Sequence, residues 1–286
     1  MTRLVPVREI AHLQLAMPAD NRWIENFSWV PVSPTELHLA CRYYPVAVRL
    51  EKQQPRLGLL VHQRYLTRAL LDASGRWRGA YRPIALRCFP FEAPNVGDDS
   101  LSDILIDADS EYLSPTAGVP IVDKAGRPER LLTEMHRLFC LLKRGQESFA
   151  GVLDQYLIAG LLVPLAGKDG AGTNDEPFYV IDPTRFLQTD RAALGAMTRR
   201  NFLSVDVAVA CLFSLQNLRS DYRPKAAGSV SHPSFTSSSI APDTIMIDDL
   251  SLVLDDGELI SFSDIDVTRP EARLGHQSAP KPFETL

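Results

Sequence analysis

Cysteine is scarce in this chain of 286 residues, and its four cysteines are far apart. Cys41, Cys88, Cys140 and Cys211 form no CxxC pair, which argues against a zinc site or a redox dithiol built from neighbouring residues. Each lies among apolar or aromatic residues, so we expect four buried thiols that behave as small hydrophobic side chains. A disulfide framework is not expected in a chain of this length, and the predicted compartment is a reducing cytoplasm.

Long apolar runs and an excess of basic residues are also missing. No segment approaches the roughly 18 apolar residues of a membrane span, and Met1–Val7 lacks the apolar stretch that opens a secretory signal. Thirty basic and 35 acidic residues give a net charge of −5, which removes the usual electrostatic basis for duplex binding. We therefore expect no membrane span, no nucleic-acid partner and a cytoplasmic protein that reaches a surface only through a partner.

Local catalytic motifs are absent as well. The sequence has no Walker loop, GxGxxG, HExxH or GxSxG pattern, and no two of its six histidines lie within four residues of each other. His136 and Cys140 have the i, i+4 spacing of a helical base and nucleophile. Cys140, however, falls in an apolar stripe, where a buried thiol is inert. The sequence predicts no catalytic residue, no metal site and no cofactor.

The acidic charge is concentrated at the C-terminal end of the chain. Residues 1–228 carry 27 basic and 25 acidic residues, a net of +2, whereas residues 229–286 carry three and ten, a net of −7. We predict a domain over residues 1–223 and, from the small polar residues and prolines that follow, a linker over 224–243.

The tail over residues 244–286 mixes acidic with large apolar residues. Asp255-Asp256-Gly257-Glu258 lies between two apolar runs and is typical of a hairpin turn. So many apolar residues are not expected to remain in water, and we predict that the tail docks as a hairpin or an extended strand, on the body, on a second copy or on a partner. The contact residues that we predict for it are Leu252, Leu254 and Phe262.

The pattern of residues 1–223 predicts an α+β domain with a mixed, mainly antiparallel sheet. Strands are predicted at Leu57–Val61, Leu101–Ile106, Leu161–Leu165 and Phe178–Ile181. The last two are predicted to pair across the Gly- and Asp-rich loop Gly167–Glu176. Apolar residues at helical spacing predict one helix from Pro128 to Lys143, ended by Gly145, and a second from Gln146, together a helical hairpin. Two C-terminal helices are predicted at 190–198 and 205–218.

A set of short segments carries a family resemblance through its order and spacing. The segments are Trp29–Val32, Glu36–Val46, Leu71–Pro83, Arg87–Phe91, Gly160–Pro164, Phe178–Asp182 and Ser214–Leu218. Together they resemble the SapC family of bacterial surface-layer-associated proteins over residues 2–222. The family's closing Gly-Asn-Leu is Gln216-Asn217-Leu218 here, and the acidic tail lies outside the resemblance.

The resemblance implies an accessory role and no catalytic motif. The family is linked by name to surface layers, and by neighbouring genes to flavin-dependent halogenase-like proteins, cupin-like oxygenases and outer-membrane receptors. A peptide-transport permease shares the name, but the lack of spans in this sequence excludes that protein.

An arginine-rich aromatic segment is the strongest candidate for contact with a partner. It contains Arg76, Trp77, Arg78, Tyr81 and Arg82. Arginine and tryptophan dominate binding hot spots, and an aromatic ring flanked by guanidinium groups can hold an acidic or extended peptide. The alternative, which the sequence favours, is a tryptophan packed on the core and covered by arginine stems.

Three hypotheses about function follow from these observations. The first is a non-catalytic accessory or interaction protein of a bacterial surface-layer or protein- or metabolite-modification system. The second is an enzyme, for example one related to or partnering an oxygenase or halogenase, whose site assembles from dispersed residues such as His62, Arg76 and Tyr81 with a carboxylate. The third is an adaptor or regulator that uses its acidic tail as a peptide ligand. A protein partner or self-association is expected in the first and third.

Overall fold

The computed structural model describes most of the predicted domain. The described residues are 3–18, 20–78, 81–93, 104–123, 127–167, 177–199 and 201–224. All of them lie within the unit Met1–Phe235. The rest of the predicted linker and the whole tail, with Leu252, Leu254 and Phe262, lie outside the described residues.

Strands and helices alternate irregularly along the chain. The described strands are β1 (Leu4–Pro6), β2 (Gln14–Leu15), β3 (Trp29–Pro31), β4 (Val46–Glu51), β5 (Gln54–Leu60), β6 (Leu105–Asp107), β7 (Leu113–Ser114), β8 (Val119–Pro120), β9 (Leu162–Gly167), β10 (Phe178–Ile181) and β11 (Tyr222–Pro224). The described α-helices are α1 (Pro34–Ala40), α2 (Ile84–Arg87), α3 (Arg130–Ile158), α4 (Pro183–Leu187), α5 (Arg191–Thr198) and α6 (Leu203–Ser214).

A six-stranded sheet in the order β11-β9-β10-β4-β5-β3 is the centre of the fold. Its neighbouring strands are all antiparallel. A three-stranded sheet, β7-β2-β8, and the antiparallel pair of β1 with β6 lie outside it. The predicted α+β class with a mainly antiparallel sheet is therefore confirmed, as is the predicted pairing of β9 with β10.

The two faces of this sheet carry different clusters because side chains alternate along each strand. One face contributes to the main core, where apolar residues of β4 and β5 meet those of α3 and α6. Members of this cluster include Val46, Val48, Leu57, Leu59, Phe149, Leu153, Tyr156 and Val207. The other face holds a smaller cluster that includes Trp29, Ala47, Leu60, Phe178 and Val180.

The predicted helical hairpin is wrong, because α3 is one continuous helix of 29 residues. Gly145 lies inside it and does not end it. A Cβ atom at Gly145 would stand 2.7 Å from Pro34 Cδ and 3.0 Å from Ser33 Cα. The glycine therefore allows the start of α1 to approach α3 closely, and its role is packing and not termination.

Replacing Gly145 by alanine is expected to lower the free energy of unfolding by about 1–3 kcal/mol, because the added methyl group overpacks the contact with α1. Gly151 is the matched control: it lies in the same helix, and a Cβ there meets no atom within 4 Å. Gly151→Ala should instead stabilise the protein by about 0.5–1 kcal/mol. Urea unfolding followed by circular dichroism measures both, and equal effects of the two changes would contradict the packing role.

The C-terminal helices are confirmed with small changes in their bounds. The predicted helix at 190–198 is α5, and the predicted helix at 205–218 is α6 followed by a 3₁₀ turn at Leu215–Asn217. Ser214 Oγ accepts a hydrogen bond from the Val46 backbone N–H at 2.8 Å, and Asn217 Nδ2 donates to the Cys41 carbonyl at 2.9 Å. These bonds fasten the end of α6 to α1 and β4.

None of the helices in the described part of the chain is long and apolar enough to cross a membrane.

Candidate functional site

The arginine-rich aromatic segment follows a tight turn at Asp72–Gly75. The Asp72 carboxylate accepts hydrogen bonds from the backbone N–H groups of Ser74 at 2.8 Å and Arg76 at 3.0 Å, which is the usual way an aspartate stabilises a turn. The Trp77 backbone then bridges to Leu71 in antiparallel fashion. The turn thus holds the following residues in an extended conformation against the body.

Extended backbone at Trp77 places its side chain on the opposite side from those of Arg76 and Arg78, because successive side chains of a strand alternate. Trp77 is half-buried and packs against the main core, whereas Arg76 and Arg78 are exposed. Arg76 Nε donates to Ser74 Oγ at 3.1 Å, which leaves the rest of the guanidinium at the surface. We call Arg76 and Arg78 the basic strip.

Arg82 and Tyr81 also make contacts within the domain. The Arg82 guanidinium lies 5.0 Å from the centre of the Trp77 ring and donates a hydrogen bond to Asn21 Oδ1. Tyr81 packs against the main core, and its carbonyl accepts a hydrogen bond from the buried Tyr44 hydroxyl at 3.0 Å. The predicted packing of Trp77 beneath an arginine side chain is therefore found for Arg82.

Glu36 is the buried carboxylate that organises this region. Its side chain accepts hydrogen bonds from the Tyr81 hydroxyl at 2.5 Å, the Ile84 N–H at 2.9 Å and the Ser33 N–H at 3.2 Å. Only 3% of Glu36 is exposed. The Arg87 guanidinium donates to the Tyr81 hydroxyl at 3.3 Å and supplies a nearby positive charge. Glu36 thus ties α1, the Tyr81 segment and the start of α2 together.

Sequence reasoning did not single out Glu36 as a site residue. A signal was present in Ser33-Pro34-Thr35-Glu36, since a serine followed three residues later by glutamate is the capping-box pattern of a helix start. The structure contains that capping box at the start of α1. The pattern predicts the bond from Ser33 but not the two bonds from Tyr81 and Ile84, which are distant in sequence.

Burial raises the pKa of Glu36 above its ordinary value, and the hydrogen bonds from Tyr81, Ile84 and Ser33 offset part of that rise. Folded Glu36 therefore binds its proton more tightly than unfolded Glu36. Its contribution to stability is fully present below the unfolded pKa of about 4.5 and falls as the pH rises through the higher folded pKa.

The Glu36→Gln variant has no carboxyl group to titrate at this position. We expect the stability of the wild type relative to this variant to decrease between pH 4 and pH 7. Urea unfolding of both proteins at several pH values measures the difference. A difference that increases with pH would contradict the raised pKa.

The four cysteines are free and buried, as the sequence predicted. Burial raises the pKa of Cys88 and of Cys211 to about 12, so both remain protonated thiols at neutral pH. Cys140 Sγ lies 3.7 Å from His136 Nε2 and 3.9 Å from Nδ1, in agreement with their spacing on one helix. Within the described residues, no group of three or more His, Cys, Asp and Glu side chains is placed to hold a metal ion.

The residues proposed for a dispersed catalytic site have separate partners. Tyr81 meets the Glu36 carboxylate, whereas Arg76 bonds to Ser74. His62 accepts a hydrogen bond from the Arg64 N–H at 3.1 Å and caps a 3₁₀ turn. Each of the three thus has a contact that stabilises local structure.

Comparison with known proteins identifies the family but gives no relative of assigned function. Residues 8–220 match the SapC family, which is about three quarters of the chain and includes the whole arginine-rich aromatic segment. No curated protein and no solved structure matches this sequence. The family match covers the same region as the order of motifs from Trp29 to Leu218, and the chain belongs to the SapC family.

Proposed function

We propose that this SapC family member is a non-catalytic accessory protein that binds a partner protein through the basic strip. The observation that carries the proposal is the division of the segment around Trp77. Trp77, Tyr81 and Arg82 are engaged in contacts within the domain, while Arg76 and Arg78 are exposed. Exposed arginines on a rigid support are a common centre of protein interfaces.

The hydrogen-bonding of Tyr81 and Glu36 supports a structural role over an enzymatic one. The Glu36 carboxylate accepts three hydrogen bonds and is nearly inaccessible to solvent. The acid–base pair of an enzyme needs room for a substrate beside the reacting atoms. The link between the family and bacterial surface layers, together with its gene neighbourhood, supports a role as an accessory to a surface-layer or modification system.

An affinity capture from the native cell tests the basic strip. The protein is immobilised as wild type, as Arg76→Ala/Arg78→Ala, and as Arg191→Ala, which removes an exposed arginine from α5 as the matched control. Quantitative mass spectrometry should show partners that are retained by the wild type and the control and reduced at least tenfold by the double variant. A tenfold loss corresponds to about 1.4 kcal/mol, which is typical of one or two interface arginines.

Two results would contradict the proposal. If the double variant captures the same partners as the wild type while deletion of residues 229–286 abolishes capture, the tail is the ligand and the adaptor hypothesis replaces this one. If the purified protein turns over a small molecule and a folded Glu36→Gln variant loses that activity, the protein is an enzyme.

A further inference from the structure

A groove of about 860 Å³ is lined by residues of β3, β5 and α3. They include Trp29 and Pro31 of β3, Arg56 of β5, and Phe139 and Gln146 of α3. Its volume lies in the range of sites that hold a small organic molecule or a short stretch of peptide. Among the described residues that line the groove, none belongs to the basic strip. A ligand bound here is therefore separate from the partner proposed above.

The backbone of β3 is suited to pairing with a further strand. β3 is at the edge of the six-stranded sheet. The Val32 N–H donates to the Leu57 carbonyl, so residue 32 and, by alternation, residue 30 bond to β5. In an antiparallel pair the intervening residues face the other way. The Trp29 N–H and the carbonyls of Trp29 and Pro31 are therefore directed away from β5, and the main chain of an extended peptide has the matching donors and acceptors.

Arg56 brings a positive charge to the groove. β3 ends at Pro31, which is paired with Gly58 on β5, and Arg56 lies beyond this last pair. Arg56 is half-buried. Within the described ranges its guanidinium has one hydrogen bond, to Gln54 Oε1 at 3.4 Å, and forms no ion pair. A half-buried guanidinium that lacks an anion favours a ligand with a carboxylate, because charge-assisted hydrogen bonds are the strong ones.

The other charged residues of the groove are paired, packed or exposed. They are Arg49, Glu51, Glu92, Lys143 and Glu147. Lys143 and Glu147 form an ion pair at 4.0 Å, and the Arg49 guanidinium lies 5.9 Å from the centre of the Trp29 ring. The remaining two glutamates are exposed, so water and salt weaken their effect on a bound anion. Recognition of a ligand carboxylate is therefore assigned to Arg56.

The wall formed by α3 is apolar and contains one buried acceptor without a donor. Phe139 and Leu142 provide its apolar surface. Only 8% of Gln146 is exposed, and its Nε2 donates to the carbonyls of Val32 at 2.7 Å and Leu57 at 2.8 Å. Gln146 Oε1 has no hydrogen-bond partner in the part of the chain that the structure describes. Buried acceptors are normally paired, so this atom indicates a donor that a ligand supplies, such as a peptide N–H.

We propose that the groove binds an extended segment of a partner protein, in which acidic and apolar residues alternate, as an added strand beside β3. Leu57 belongs to the main core together with residues of α3, so the neighbouring Arg56 lies on the opposite face of the sheet. Side chains of an added strand alternate between the same two faces. Its apolar residues therefore meet Phe139 and Leu142 of α3, and its acidic residues meet Arg56. Main-chain bonds to β3 supply affinity, and the two faces supply the sequence preference.

Fluorescence polarisation with synthetic peptides and the full-length protein tests the site. The probe is a fluorescein-labelled pentapeptide of alternating leucine and aspartate. A second probe has the same sequence with its amide nitrogens methylated, which removes the main-chain donors and keeps every side chain. A third has lysine in place of aspartate. We expect saturable binding of the first probe, at least tenfold tighter than that of the other two.

A charge exchange identifies the groove as the place of binding. At low salt, Arg56→Glu should reverse the preference, so that the lysine probe binds at least tenfold more tightly than the aspartate probe. Arg191→Glu on α5 is the matched control and should leave the preference unchanged. Arg76→Ala/Arg78→Ala should also leave it unchanged, which separates this site from the basic strip. Because Arg56→Glu gains one probe while it loses the other, misfolding cannot produce the reversal.

Three results would overturn the inference. The first is a lack of saturable binding of the leucine–aspartate probe to the wild type. The second is equal binding of the probe and its N-methylated form, which would show that no strand is added. The third is a preference that Arg56→Glu leaves unchanged and Arg76→Ala/Arg78→Ala abolishes, which would place the acidic peptide on the basic strip and leave the proposed function intact.

Discussion

Replacing Glu36 by alanine is expected to lower the free energy of unfolding by about 3 kcal/mol. The change removes the acceptor of three hydrogen bonds, and two of the donors that lose it, the N–H groups of Ile84 and Ser33, are buried. A buried donor that loses its partner costs about 1–3 kcal/mol. Urea unfolding at pH 7, followed by tryptophan fluorescence, measures the loss.

Tyr81→Phe is the matched control for this prediction, because it removes only the bond from the hydroxyl and retains the ring. We expect it to cost about 1 kcal/mol. The double variant should then be less destabilised than the sum of the two single changes, since both remove the same bond. A Glu36→Ala protein within about 0.5 kcal/mol of the wild type, an effect typical of surface changes, would show that the carboxylate does not organise this region.

Replacing Gly58 by alanine should destabilise the protein by about 3 kcal/mol or more. Gly58 lies in β5, where the Trp29 side chain crosses it and donates from Nε1 to the Ala47 carbonyl on β4 at 3.2 Å. A Cβ atom at Gly58 would stand 2.2 Å from Trp29 Cε2 and 2.3 Å from the Val30 carbonyl oxygen. Since one of the obstructing atoms belongs to the backbone, rotation of the Trp29 side chain cannot relieve the overlap.

Gly195→Ala is the control for this second change, because a Cβ at Gly195 in α5 meets no atom within 4 Å. It should leave the protein as stable as the wild type or stabilise it by up to about 1 kcal/mol. Thermal unfolding of the two variants compares them directly. Equal melting temperatures for Gly58→Ala and the wild type would contradict the crossing of Trp29 over β5.

Patterns within short segments of the sequence were sufficient to predict several strands and helices. The short apolar runs and the Gly- and Asp-rich loop between them predicted β9 and β10 and their pairing. The composition of residues 190–218 predicted α5 and α6. In these elements the apolar positions of the sequence pattern are the positions that the fold buries. The pattern therefore predicts them without knowledge of a distant contact.

The error at Gly145 has a physical cause that the sequence alone does not display. Glycine disfavours a helix by about 1 kcal/mol, which made residue 145 a reasonable end for the first predicted helix. In the structure, buried residues on both sides of it, including Leu142 and Phe149, pack against the body from one continuous helix. Glycine is needed at position 145 because Pro34, 111 positions earlier in the chain, packs against it. The periodicity of the helix carries no information about that distant contact.

The candidate site was predicted in composition but not in arrangement. The sequence identified the residues from Arg76 to Arg82 together, yet their orientation depends on contacts with distant residues, such as the bonds of Tyr81 to Glu36 and of Arg82 to Asn21. The pairing of Arg49 on β4 with Arg56 on β5 was accessible in principle, because each is three residues from the nearer residue of the two-residue turn at Lys52 and Gln53. Those two residues adopt positive φ angles of 49° and 67° without being glycine or asparagine, so the usual turn signal was missing.

The strand order has a consequence for how the protein is made on the ribosome. β4 is complete at Glu51, but its neighbour β10 begins at Phe178, 127 residues later. At about 5–20 residues per second, a nascent chain therefore presents the open edge of β4 for about 6–25 seconds before its partner strand emerges. The bonds from Ser214 and Asn217 that fasten α6 to β4 and α1 form later still. Closure of this sheet therefore waits until β10 and α6 have both been synthesised.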